Sequence, residues 1–242
     1  MNEVNVKDQV ALIMGAGPGL GLALARCFAS AGMHVGMAAR NSDKLKSLQQ
    51  ECSGFAGQVR TYPCDSTDEG SVINAYDQLH SDLGTPDLVV YNAGIFLPAE
   101  VVNITTADFE RCWRVGCLGG FLCGREAARI MLRAGHGTIL FSGATASLRG
   151  SAGFANLAVG KFGLRALAQS MARELGPKGI HVAHVIIDGQ ILSPRYAELV
   201  AKRPADGLLD PAAIAASYLD LHKQHRSAWS QELDLRPWAE KF

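Results

Sequence analysis

The sequence predicts an α/β fold: a single doubly wound parallel sheet of Rossmann type with helices on both faces. Three observations predict it. Short apolar runs of β type alternate with longer helical stretches from Val10 to Ile187. Each helical stretch lies between two such runs, and such crossovers make a parallel sheet covered on both faces. The loop after the first run is rich in glycine and opens a helix, as in dinucleotide-binding folds. A length of 242 residues suits one α/β domain spanning 1–242.

The strands follow from apolar, β-favouring runs at Val10–Met14, His34–Ala39, Val59–Cys64, Leu88–Tyr91, Thr138–Ser142 and His181–Ile187, with Leu233–Arg236 as a seventh at the edge. Between them, helical spacing predicts Leu20–Ala31, Ser42–Glu51, Thr67–Leu83, Thr106–Arg133 and Asn156–Leu175, with Ala31-Gly32, Leu83-Gly84 and Gly176-Pro177 as stop signals. Gln190–Gln224 is the least regular region, carrying Pro194, Pro204 and Pro211. It follows the last central strand, on the side where open α/β sheets bind ligands, and is expected to cover a substrate.

Composition narrows the function. Hydrophobic residues are 48% of the chain and charged residues 19%, enough for a core of its own. Twenty-three Lys+Arg balance twenty-three Asp+Glu, which argues against nucleic acid or a membrane surface as a partner. The six cysteines (27, 52, 64, 112, 117, 123) are scattered with no C-x-x-C pair, as expected of reduced thiols in a cytoplasmic protein. The N-terminus lacks the pattern of a signal peptide, and no apolar run approaches the roughly eighteen residues of a membrane helix. His181 and His184 are three apart in a strand, and His222 and His225 lack a third nearby ligand, so no metal site is expected.

The first strand leads into Gly15-Ala16-Gly17-Pro18-Gly19-Leu20-Gly21. Gly15 lets the chain turn, Gly19 lets backbone approach a pyrophosphate, and Gly21 lets the helix lie close to the strand, while the free amides of the helix N-terminus attract anions. The second strand ends in Ala38-Ala39-Arg40-Asn41. No carboxylate stands there to hold a ribose 2′-hydroxyl, whereas Arg40 offers a planar cation suited to a 2′-phosphate, so NADP(H) is expected over NAD(H).

With Asp65 after the third strand and Asn92-Ala93-Gly94 after the fourth, the chain resembles the short-chain dehydrogenase/reductase superfamily over nearly its whole length. The resemblance implies that Asp65 holds the adenine amino group and that Asn92, Ala93 and Gly94 line the adenine-ribose side. It implies that Lys161 binds the nicotinamide ribose. The segment Gly189-Gln190-Ile191-Leu192-Ser193 resembles the one that reaches the carboxamide, with Ile187-Asp188 read in place of the usual preceding Pro-Gly. Such proteins often pair as dimers or tetramers through their two long middle helices. Asn156–Leu175, apolar around most of its circumference, agrees with a homodimer or homotetramer.

The same resemblance places Leu157, Ala144 and Gly116 where the family carries its Tyr, Ser and Asn. Leu157 cannot exchange a proton and Ala144 cannot bond an oxyanion. Ser142 and Thr145 lie two residues before and one after the Ser position. Asp188, Tyr91 and Cys117 are the candidate substitutes. Two functions follow: an oxidoreductase of atypical mechanism, acting on a quinone, an iminium or an activated enone, or a catalytically silent NADP(H)-binding sensor or partner-binding protein. A pocket lined by Leu157, Ala144, Gly116 and the 190–224 region suggests an apolar small-molecule ligand.

Overall fold

The computed structural model describes residues 5–193 and 196–240; Pro194 and the first four residues, on which expectations above touched, lie outside them. One parallel sheet runs through the molecule in the order β3-β2-β1-β4-β5-β6-β7. Its strands are β1 (Val10–Met14), β2 (His34–Ala39), β3 (Val59–Pro63), β4 (Leu88–Tyr91), β5 (Gly137–Ser142), β6 (Ile180–Ile187) and β7 (Glu232–Leu235). The chain order reverses between β1 and β4, which pair in the register Ala11↔Leu88 to Met14↔Tyr91, and a cleft opens there beyond the strands' carboxyl ends.

Central strands are apolar on both faces because helices cover both. All residues of β1, β4 and β6 are buried, whereas the edge strands β3 and β7 are mixed. One core lies under α1 (Leu20–Ser30), α2 (Ser42–Gln50) and α8 (Pro211–Lys223); the other lies under α3 (Glu69–Asp82), α5 (Gly119–Ala134) and α6 (Ala155–Leu175). Local signals fix the ends. The Asn41 side chain accepts the Lys44 amide at 2.9 Å and caps α2; Asp68 accepts the Ser71 amide at 2.6 Å, so α3 starts after Asp68 rather than at Thr67. Gly135, at φ 75°, closes α5 in the left-handed region.

Two expectations are corrected. The stretch Thr106–Arg133 is not one helix: α4 (Thr106–Trp113) passes through a π turn, Arg114–Leu118, into α5. The turn contains Gly116, whose Cα side lies against Gly160 of α6 so closely that a Cβ there would sit 3.1 Å from the Gly160 Cα. The Tyr91 hydroxyl donates to the Val115 carbonyl at 2.5 Å, anchoring the wide turn to the end of β4. The region 190–224 is not all cover. Its second half is α8, capped by Asp210 with Pro211 in the first turn, and it buries Ile214, Ala215, Tyr218 and Leu221 as a scaffold helix against α1. Only the part before it faces the cleft, tied by the Ile191–Leu209 bridge and containing the short α7 (Ala197–Val200).

Candidate active site

The cleft at the reversal point has two connected ends. The first, of about 220 Å³, is lined by Gly15, Ala16, Ala39, Arg40, Asp65, Ser66 and Asn92-Ala93-Gly94. The second, of about 850 Å³, runs from the glycine loop past Lys161 to the segments after β5 and β6. These are the two ends a dinucleotide would span.

The glycine loop is shaped for that purpose. Gly15 has φ 91°, and a Cβ on it would lie 2.4 Å from the Ala93 amide nitrogen, so the turn and the approach of the β4 loop both need its bare backbone. Gly21 packs against the Ala16 Cα in the same way, at 2.8 Å for a Cβ. Above Gly17 there is open space, and above Gly19 the first atom is the Ser193 Cβ at 4.0 Å. The N-terminus of α1 has no side-chain cap and no acidic residue in its first turn. Its amides and positive dipole end are thus presented to an anion in the cleft. Leu20, 6% exposed, anchors that turn in the core while lining the cleft.

At the adenine end, Asp65 accepts the Thr67 amide and hydroxyl at 2.9 and 2.8 Å. Partial burial works against its charge, but these bonds and the Arg40 guanidinium nearby hold the carboxyl below its ordinary value. Arg40 is exposed and makes no hydrogen bond or ion pair among the described residues. Asn92 donates to the Gly15 carbonyl at 3.2 Å, clamping β4 to the glycine loop. Ile191 lines the other end, held by the bridge to Leu209.

Lys161, on α6, is 6% exposed and its ammonium donates to the Ser142 carbonyl at 2.7 Å. The Nζ lies beside Gly94, 3.7 Å from where a Cβ would be. Burial pulls its pKa down to about 8. Leu157, one turn earlier, and Ala144 line the same cleft. Gly116 does not; it is the helix contact described above.

The three candidate substitutes do not line the cleft. Tyr91 is fully buried, donating to the π turn, and burial raises its pKa. The Cys117 thiol packs where α6 passes, 2.7 Å from a Cβ placed on Gly163, and burial raises its pKa too. Asp188 is 5% exposed, accepts the Thr145 hydroxyl and pairs with Arg236 at 3.4 Å. The tight turn belongs to Gly189, at φ 153° with Pro237 against it, so Asp188 precedes the segment's glycine rather than standing in for it. Ser142 uses its hydroxyl on the far face of the sheet, 2.8 Å from the Tyr218 hydroxyl.

Other groups in the cleft are harder to find from spacing. Thr145 lines it with its hydroxyl donated to Asp188, and the loops after β4 and β5 form one wall, tied by Ala99 N to Gly153 O at 3.0 Å and by Asn156 Nδ2 to Leu97 O at 3.0 Å. Phe96 and Phe154 meet in that wall with ring centroids 5.1 Å apart. Arg149, Ser151, Tyr196, Arg203 and Glu240 also line the cleft, so its walls are more polar than Leu157 and Ala144 suggested. Behind it, His184 is fully buried under Gly143, where a Cβ would clash at 2.4 Å, and its pKa is pushed down to about 4 by burial, against the pull of Glu232. The other histidines named from the sequence are held away from the cleft. His181 stacks on Trp229 and bonds the Ser230 carbonyl, His222 bridges Thr138 and Gln9, and α8 ends before His225.

Comparison with known proteins agrees with this geometry. The family model for short chain dehydrogenase matches residues 9–203. Sorbitol-6-phosphate 2-dehydrogenase of Escherichia coli (strain K12) is 31% identical over 216 residues, covering 88% of this chain and 83% of that protein. A short-chain dehydrogenase from Rhodopseudomonas palustris is 38% identical with a TM-score of 0.84, covering 96% and 100% of the two chains. A metagenomic short-chain oxidoreductase crystallised with NADP is 25% identical with a TM-score of 0.84, covering 97% and 99%. The chain therefore belongs to the short-chain dehydrogenase family.

Proposed function

We propose that the chain is an NADP(H)-dependent oxidoreductase of a small organic substrate that works without the family's Tyr and Ser hydroxyls. The observation that carries this is a dinucleotide cradle fitted by bare glycine backbone, with an uncapped helix N-terminus in its middle and Arg40 at its adenine end. The metagenomic relative's NADP supports a nicotinamide dinucleotide as cofactor, and Arg40 alone supports the phosphorylated form. The glycine loop and α1 would hold the pyrophosphate, Arg40 the 2′-phosphate, Asp65 the adenine edge, and Lys161 the nicotinamide ribose, with Ile191 beside the carboxamide. A bound nicotinamide supplies or accepts a hydride.

The chain's own residues limit what that hydride can do. Leu157 and Ala144 give neither proton nor oxyanion bond, and a missing acid–base group costs about 10²–10⁴-fold in rate. The substrates best matched are therefore those that need little help with a proton: an iminium, a quinone or an activated enone. The test is a panel of these acceptors, with simple ketones alongside, monitored by oxidation of NADPH. Turnover confined to the activated acceptors is expected; fast reduction of simple ketones would contradict the account.

A second function, a silent NADP(H) sensor or partner-binding protein, is favoured by one observation: Tyr91, Cys117, Asp188 and Tyr218 are all engaged in the scaffold. Exposed Phe109, Trp113 and Phe121 on α4 and α5 and Val159 and Phe162 on α6 support a homo-oligomer through these helices. Six free thiols fit a reducing compartment such as the cytoplasm.

A further inference from the structure

One cation of the cleft, Arg149, stands apart from the residues proposed to hold the cofactor. In the larger end, Glu240 is the one carboxylate among the described lining residues, against Lys161, Arg149 and Arg203. Lys161 is committed to the Ser142 carbonyl, and Arg203 reaches only Gln190, at 3.5 Å. Gln190 and Arg203 belong to the segment whose Ser193 lies over Gly19, beside the pyrophosphate position. Arg149 is elsewhere. It lies after β5, on the wall shared with Phe96, Ser151 and Phe154, and does not line the adenine end. Its backbone is fixed by a bond from its amide to the Thr145 carbonyl at 3.2 Å. Its side chain is exposed, and its guanidinium makes no hydrogen bond or ion pair among the described residues.

We infer that the substrate of this site is an organic anion with an apolar body, its carboxylate or phosphate group taken by Arg149 and its body lying against Phe96, Phe154 and Leu157. A guanidinium fork matches the planar or tetrahedral oxygens of such groups, and an aromatic wall favours a hydrocarbon body over a polyol. Phe96 and Phe154 leave little for a sugar's hydroxyls to bond, while Leu157 adds apolar surface where the family's phenol would stand. The inference rests on the proposal that the rest of the cleft holds the dinucleotide.

The test is calorimetry on the full chain with saturating NADPH, after a separate titration has shown that NADPH binds. Absent NADPH binding refutes the cofactor proposal and is seen before any substrate probe is added. With NADPH in place, three probes are compared: cyclohexanecarboxylate, its methyl ester, and sorbitol 6-phosphate. The expected result is that the carboxylate binds about tenfold or more tightly than the ester, the size of one charge-assisted contact, and more tightly than the polyol phosphate. Arg149→Ala removes the preference for acid over ester and leaves NADPH affinity within about twofold, as Arg149 is outside the phosphate cradle; Arg149→Lys keeps part of it. Equal binding of acid and ester, or no binding of either, overturns the anion. Tighter binding of sorbitol 6-phosphate overturns the apolar body. Loss of the preference in Arg203→Ala but not in Arg149→Ala overturns the assignment to Arg149.

Discussion

Replacing Gly15 by Ala should damage the fold itself, whereas replacing Gly19 by Ala should damage only cofactor binding. At Gly15 two costs add. The backbone sits at φ 91°, where an L side chain is strained by about 1–3 kcal/mol. The new Cβ would lie 2.4 Å from the Ala93 nitrogen and 2.6 Å from its Cα, both backbone atoms of a loop clamped by Asn92. Relief requires the β4 loop to move, an overpacking cost of about 1–3 kcal/mol. The sum is about 2–6 kcal/mol, and a chain of this size loses about 2–4 °C of Tm per kcal/mol. Thermal unfolding of the protein without nucleotide should therefore show Gly15→Ala melting at least 4 °C or so below the parent. At Gly19 the nearest atom to a Cβ is 4.0 Å away, so Gly19→Ala should melt within about 1–2 °C of the parent. Its Cβ fills the space a pyrophosphate needs, and NADPH affinity should fall by tenfold or more by the same logic that keeps that space bare. Equal melting of the parent and Gly15→Ala would refute the reasoning.

Other predictions are more local. Glu232 accepts a two-pronged bond from Arg165 at 2.7 and 2.8 Å, which, with His184 beside it, holds its carboxyl below the ordinary value despite partial burial. A depressed carboxyl stabilises above its unfolded pKa and stops doing so as pH falls through the folded one. Glu232→Gln should cost about 1–3 kcal/mol at pH near 7, a gap that narrows below pH of about 4.5 in denaturant titrations; a gap independent of pH would be wrong for this pair. Gly116→Asn, which installs the residue that the resemblance to the family implies there, should destabilise by about 1–3 kcal/mol in the same titrations, because its Cβ would press on Gly160 at 3.1 Å. The double change Leu157→Tyr with Ala144→Ser should raise NADPH-dependent reduction of simple ketones by about a hundredfold, since both positions face the cleft beside Lys161. No gain in a correctly folded double variant would count against their placement. Phe162→Asp should lower the mass seen in light scattering, by breaking the exposed face of α6.

The parts of this protein that were legible in the sequence are those governed by local rules. Strands buried on both faces are continuous apolar runs, so the runs at β1, β2 and β4 coincide with the strands to the residue. The glycine loop was legible because steric demands at Gly15 and Gly21 leave no other residue type room. The π turn was not, because helical spacing from Thr106 to Arg133 is unbroken, and the contacts that hold the wide turn, Gly116 against Gly160 and Tyr91 to the Val115 carbonyl, join residues far apart in sequence. Nor was the scaffold role of α8: its prolines suggest a loop, but Pro211 merely opens the helix and Tyr218 reaches Ser142 beneath the sheet. Asp188, Tyr91 and Cys117 stand out by chemistry and chain position, whereas their engagement with Thr145, Val115 and Gly163 is tertiary. Arg149 carries no motif at all; it stands out only once the wall around it is seen.

The account stands on NADP(H) occupying the cradle, and thermal unfolding with and without NADPH or NADH tests that most directly. At a hundredfold excess over Kd, binding stabilises by about 2.7 kcal/mol, or roughly 5–11 °C here. The prediction is a shift of that order with NADPH, a smaller one with NADH, and loss of the difference between them in Arg40→Ala. No shift with either nucleotide, in a preparation that unfolds cooperatively and carries no nucleotide of its own, would contradict it.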